Sequence, residues 1–238
     1  YFANKLNTTG TNNVSVGRES LEANTTGTSN VAVGYLSLTA NTTANDNTAI
    51  GTCALNANTT AANNTAVGFS ALDSNTTGTT NSALGSESLK KNTTGSENTG
   101  IGRFALACNT TASYNTALGF CALKTNTTGT DNTAVGHCSL SANTTGGNNN
   151  AVGCSALLCN TEGTDNNAFG NKALCANTTG DCNIAIGRLA LRNNTTANQN
   201  VAIGQEALCA NQTGTANTAV GANALAANTT SSNTAVGF

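Results

Sequence analysis

Side chains able to do acid–base, nucleophilic or metal chemistry are sparse here: nine Cys, the single His137 and eleven carboxylates among 238 residues. A zinc centre needs thiolates or imidazoles at short fixed intervals, yet no Cys-x-x-Cys occurs and no second histidine stands near His137. Hydrolytic or transfer chemistry needs a nucleophile, a base and an orienting group held together. Glu87, Glu97, Asp131 and His137 recur in no such constellation, and the place of His137 in the sequence pattern is taken elsewhere by Tyr35, Phe69 and Arg188. The residues therefore predict no catalytic site, no bound metal and no cofactor.

Two sets of residues remain. Asn7, Asn24, Asn41, Asn58, Asn75, Asn92, Asn109, Asn126, Asn143, Asn177, Asn194, Asn211 and Asn228 each precede x-Thr and read as N-glycosylation acceptors. Against this, Asn160 keeps its place where Glu162 destroys the acceptor motif, which favours a structural role for the whole column. Among the cysteines, Cys121 and Cys138 fall one repeat apart, and Cys138 with Cys154 and Cys159 with Cys175 fall one residue out of register. They are disulfide candidates in an oxidising compartment, or else small apolar fillers.

What positions all of these is a period. A unit close to Ala-Leu-x-Ala-Asn-Thr-Thr-Gly-x-x-Asn-Thr-Ala-Val-Gly-x-x returns every 17 residues, fourteen times, marked by Gly17, Gly34, Gly51 and onward to Gly221, with Gly237 one residue early. Counting that glycine as position seventeen, positions seven and thirteen are Asn in every unit, position four is Leu in thirteen units, and position sixteen is always Val, Ile, Leu or Phe. The period predicts an all-β fold, a single-chain β-solenoid or parallel β-roll of about 14 coils, running as one continuous array over residues 1–238 and read as a segment of a longer fibre.

Seventeen residues suit one turn of a β-coil. Two strand-like segments are expected per unit, at positions thirteen to sixteen and two to six. Strand alternation puts positions fourteen and sixteen on one face, and their Val and Ile content predicts that this face points inward. Position four must also be buried, so a corner is expected at the glycine of position seventeen, with a second bend at a glycine column at position ten. Stacked Asn columns are expected to form side-chain amide ladders. Positions three and fifteen, nearly always Ala or Ser, are then left facing outward, which predicts close contact with another copy of the chain; tight packing inside the coil is the other reading.

Composition excludes several partners. A net charge of −2 and 8% charged residues supply no field for nucleic acid, and no apolar run reaches the about 18 residues of a membrane span. The strings Asn47-Thr48-Ala49-Ile50-Gly51, Asn64-Thr65-Ala66-Val67-Gly68 and Asn132-Thr133-Ala134-Val135-Gly136, each followed by x-x-Ala-Leu or x-x-Ser-Leu, resemble the repeats of phage-type tail-fibre proteins. They are also similar to the Val-Ala-Ile-Gly repeats in trimeric autotransporter adhesin heads. The resemblance implies a homo-oligomeric structural fibre, extracellular or on a virion surface, that presents an adhesive element to a host receptor or surface. Two other readings are a glycosylated free-standing filament and an ice-binding solenoid. The second is weakened because the constant Thr residues are adjacent, as in Thr25-Thr26, where a flat array needs alternate ones.

Overall fold

The computed structural model describes residues 2–238. The chain divides into two compact units, Tyr1–Ala117 and Leu118–Phe238, both built from the same coil. Each coil contributes one three-residue strand. The first unit holds β1 (Val14–Val16), β2 (Val31–Val33), β3 (Thr48–Ile50), β4 (Thr65–Val67), β5 (Ser82–Leu84) and β6 (Thr99–Ile101), and β7 (Thr116–Leu118) spans the unit boundary. The second holds β8 (Thr133–Val135), β9 (Asn150–Val152), β10 (Asn167–Phe169), β11 (Ile184–Ile186), β12 (Val201–Ile203), β13 (Thr218–Val220) and β14 (Thr234–Val236). Within each unit successive strands pair in parallel at an offset of one repeat, Ala32 with Ala49 and Ala151 with Ala168. The β13–β14 pair differs, Thr218 pairing with Thr234 because the last unit is one residue short. This is the β-solenoid that the period predicts, and the described residues contain no helix.

Alternation holds within each strand, but the faces are the reverse of those expected. Ala32, Ala49 and Ala66 are fully buried, while the flanking Ile50 and Leu84 are 40% and 49% exposed. Position three also points inward, with Ser20, Ser37, Ala54 and Ala71 all buried. The reason is volume. Ser15 Oγ lies 2.6 Å from Ser20 Oγ. A Cβ added to Gly100, also at position fifteen, would meet Ser88 Oγ at 2.7 Å and Leu89 Cγ at 3.3 Å. Columns three and fifteen therefore face each other across a coil too narrow for anything larger than a methyl or hydroxymethyl group. Their small size reflects this internal contact and not an outward one against a second chain. One large side chain per coil fits inside, the Leu of position four, fully buried from Leu21 to Leu208.

The second expected strand is absent. Positions two to six form turns, with positions two and four in the left-handed region: Ser70 and Leu72 both have φ of 50°. Pairing between coils continues through this corner nonetheless. The Leu36 amide donates back to Arg18 O at 3.1 Å, and the Leu38 amide donates forward to Ala54 O at 2.9 Å. Position seventeen makes the expected corner, Gly34 having φ of 135°, which an L-residue cannot adopt without strain. Position ten does not. Its glycines lack positive φ and are replaced by Ala44, Ala61, Ala112 and Ala197; the left-handed residue of that loop is position twelve, as in Asp46 and Asn63.

Candidate functional site

The two Asn columns are the most constant polar groups and both lie inside the coil. Asn58 Nδ2 donates to Asn41 Oδ1 at 3.1 Å and to Ala61 O at 2.9 Å, and Asn58 Oδ1 accepts from Asn75 Nδ2 at 3.0 Å. In the other column the Asn64 amide donates to Asn47 Oδ1 at 3.0 Å, and Asn64 Nδ2 donates to Gly78 O at 2.9 Å. The ladders converge on the carbonyl of position ten: Ala61 O accepts from both Asn47 Nδ2 and Asn58 Nδ2. Each loop is thus fastened from two sides, and buried amides that would each cost about 1–3 kcal/mol unpaired are satisfied.

This placement bears on glycosylation. Asn24, Asn41, Asn58, Asn75, Asn92, Asn109, Asn126, Asn143, Asn177, Asn194 and Asn211 are fully buried; Asn7 and Asn228, in the first and last coils, are half-buried. A sugar on a ladder Nδ2 would replace a hydrogen that the ladder uses and would require volume the coil lacks. The adjacent Thr columns divide their work. The position-eight hydroxyl donates to the backbone of the next coil, Thr76 Oγ1 to Thr93 O at 3.1 Å, while position nine is exposed, as at Thr26 and Thr60.

All nine cysteines are free thiols, including the expected partners Cys121, Cys138, Cys154, Cys159 and Cys175. Burial pushes the Cys138 thiol pKa up, with the nearby Cys121 and Cys154 adding to the effect and Lys124 opposing it. Cys175 is raised in the same way by burial and by Cys159. These thiols are thereby held in the protonated, poorly nucleophilic form. His137 stacks on Phe120 with centroids 5.4 Å apart and stands 3.8 Å from Cys138 Sγ. A groove of about 400 Å³ over coils of the second unit is lined by Lys172, Cys175, Arg188 and Arg192, with Arg188 paired to Glu206 at 3.4 Å. It brings together cations and a protonated thiol, with the nearby Glu206 carboxylate engaged by Arg188.

Sequence reasoning missed the feature that sets this surface apart. Position sixteen is apolar in every coil and faces outward, with Ile50, Leu84, Ile101, Leu118, Phe169, Ile186 and Ile203 between 36% and 49% exposed. No residue of any strand carries a charge. The signal was available in the volumes: Ala is nearly invariant at position fifteen, whereas position sixteen tolerates Val, Ile, Leu and Phe, as an unconfined column does. No protein-family model matches the chain, and no curated protein is similar to it.

Proposed function

We propose that this chain is structural: the shaft of an extracellular or virion-surface fibre, a stiff β-solenoid that associates with copies of itself and holds an adhesive element away from its base. The observation that carries this reading is the uniformity of the inter-coil bonding within each unit. The same Asn, Thr and backbone bonds recur coil after coil, while the residues able to do chemistry occupy irregular positions. Selection for a repeating scaffold leaves that signature; selection for a pocket concentrates constant side chains at one place. The resemblance of Asn64-Thr65-Ala66-Val67-Gly68 and its equivalents to tail-fibre and adhesin repeats supports the same reading.

Two measurements test it. Removing residues 52–119, four whole repeats, is expected to leave a folded particle shorter by about 19 Å in solution scattering, at about 4.8 Å per coil. A chain that unfolds, or one whose length does not change, overturns the shaft. Antibody raised against the purified protein is expected to label the outside of intact virions or cells, and label found only after lysis overturns the surface location.

A further inference from the structure

We propose that the groove between Lys172 and Arg192 binds an acidic saccharide, a sugar bearing a carboxylate or a sulfate ester. The proposal goes beyond the shaft reading and does not depend on it, and every residue it uses lies in the second unit. Positions three and four turn inward, as Ala173, Leu174, Ala190 and Leu191 do, and leave a furrow between columns two and five. Column two contributes Ser155, Lys172 and Leu189 over three successive coils, and column five contributes Leu158, Cys175 and Arg192. Where the same two columns run through the first unit, Glu87 on one wall reaches Lys90 on the other at 3.0 Å. Here both walls carry cations, and none of the described residues lining the space between them is a carboxylate. Burial and Cys159 raise the Cys175 thiol pKa while Arg192 and Lys172 both oppose them, so the two cations act on one point in the groove. Lys172, Arg188 and Arg192 are three of the chain's nine basic residues, and of these three only Arg188 meets a carboxylate, Glu206 at 3.4 Å. An anion from outside supplies the charge that the furrow lacks.

The lining selects the ligand. Lys172 and the two guanidinium groups offer charge-assisted donors, and a guanidinium matches a carboxylate or a sulfate through two parallel bonds. Arg192 Nε donates to Asn193 Oδ1 at 3.3 Å, which leaves its two Nη groups as the available donors. Leu158 and Leu189 give an apolar patch against which the C–H face of a sugar ring packs, while Asn171, Asn193 and Ser155 add amide and hydroxyl groups for the ring hydroxyls. No aromatic residue lines the groove, so a nucleotide would find nothing on which to stack its base. The volume of about 400 Å³ lies in the range that takes a small organic ligand. A bare inorganic anion would use the cations and leave the leucines and amides without partners.

The test is calorimetric titration of the full chain at low salt with glucose 6-sulfate and with glucuronate, and with glucose and inorganic sulfate as controls. At least one of the two acids is expected to bind with a Kd of about 1 mM or tighter, and glucose and inorganic sulfate at least about tenfold more weakly. The tighter acid identifies the anionic group as sulfate ester or carboxylate. The double variant Lys172→Gln with Arg192→Gln is expected to keep its melting temperature and to lose at least about tenfold in affinity. Glu206→Gln, which releases Arg188, should bind about twofold tighter or more. The control Lys90→Gln with Lys91→Gln should bind as the unaltered chain does. Neither acid binding overturns the proposal. So does inorganic sulfate binding as tightly as the acids, which would leave an adventitious ion only, or glucose doing so, which would remove the cations from the site. A double variant that binds unchanged, a control that weakens as much, or a Glu206→Gln chain that binds no tighter overturns it as well. Should the double variant unfold, lysine acetylation of the unaltered chain, read by mass spectrometry, decides: the bound acid must shield Lys172 and leave exposed Lys91 unchanged. Failure here leaves the shaft standing, because coil deletion tests that reading separately.

Discussion

At position fifteen a single methyl group fills the available space, and the neighbouring position sixteen is bounded by solvent. Ala66→Val is therefore expected to destabilise by about 1–3 kcal/mol through overpacking against columns three and four, whereas Val67→Ala should change stability by less than about 0.5 kcal/mol. Urea denaturation of the two variants checks this, and the opposite order would restore the inward-facing Val. Burial also holds the Asp73 carboxyl above the usual carboxylate range, with Lys90 and Asn56 only partly opposing it. An acid whose folded pKa is raised favours the native state when protonated, and that advantage is lost as pH rises from the ordinary Asp value through the raised one. Asp73→Asn should consequently raise the melting temperature at pH 7, with the gain vanishing below about pH 4.

Each coil as an element accepts local strain in return for continuous pairing. Its left-handed residues at positions two, four and twelve include Leu72, Glu87 and Tyr114, none of which favours that region. Tyr114, 57% exposed with φ of 63°, is the clearest case. Tyr114→Asn should stabilise by about 0.5–1 kcal/mol in chemical denaturation, since Asn tolerates φ > 0. The last coil shows what one missing residue does. Asn228 Nδ2 turns to Thr230 O at 2.8 Å, and Asn211 Oδ1 is left buried without a donor. Inserting one Gly after Thr230 recreates the Asn-Thr-Thr-Gly loop and should return Asn228 to the ladder, lowering amide hydrogen exchange in that coil by about tenfold or more. Unchanged exchange would mean that the ladder does not govern the loop.

For the whole molecule, stability is a sum over coils and the contacts between neighbours, so whole coils are exchangeable units. Deleting residues 52–68 should preserve circular dichroism and lower the melting temperature only modestly, whereas deleting residues 52–67 leaves one coil a residue too long, with Gly51 directly before Gly68, and should lower it further by disturbing that corner alone, as the short last coil disturbs only its own loop. The solenoid itself was legible in the amino-acid sequence, because a stacked coil repeats its needs at a constant interval: Leu55 and Leu72 recur as the core, Asn58 and Asn75 as the ladder, and Gly51 and Gly68 as the corner. Position twelve was not legible: Asp46, Asn63, Asp131 and Asn148 accept a left-handed backbone, but Thr80, Glu97, Tyr114, Cys182 and Ala216 hold the same place, so residue type does not mark that bend. Only the tertiary structure decided which strand face is inside. Hydrophobicity ranks Val67 above Ala66 for burial, but the space enclosed by seventeen residues is set by how closely opposite sides of one coil approach, and that distance belongs to the closed coil and to no single residue.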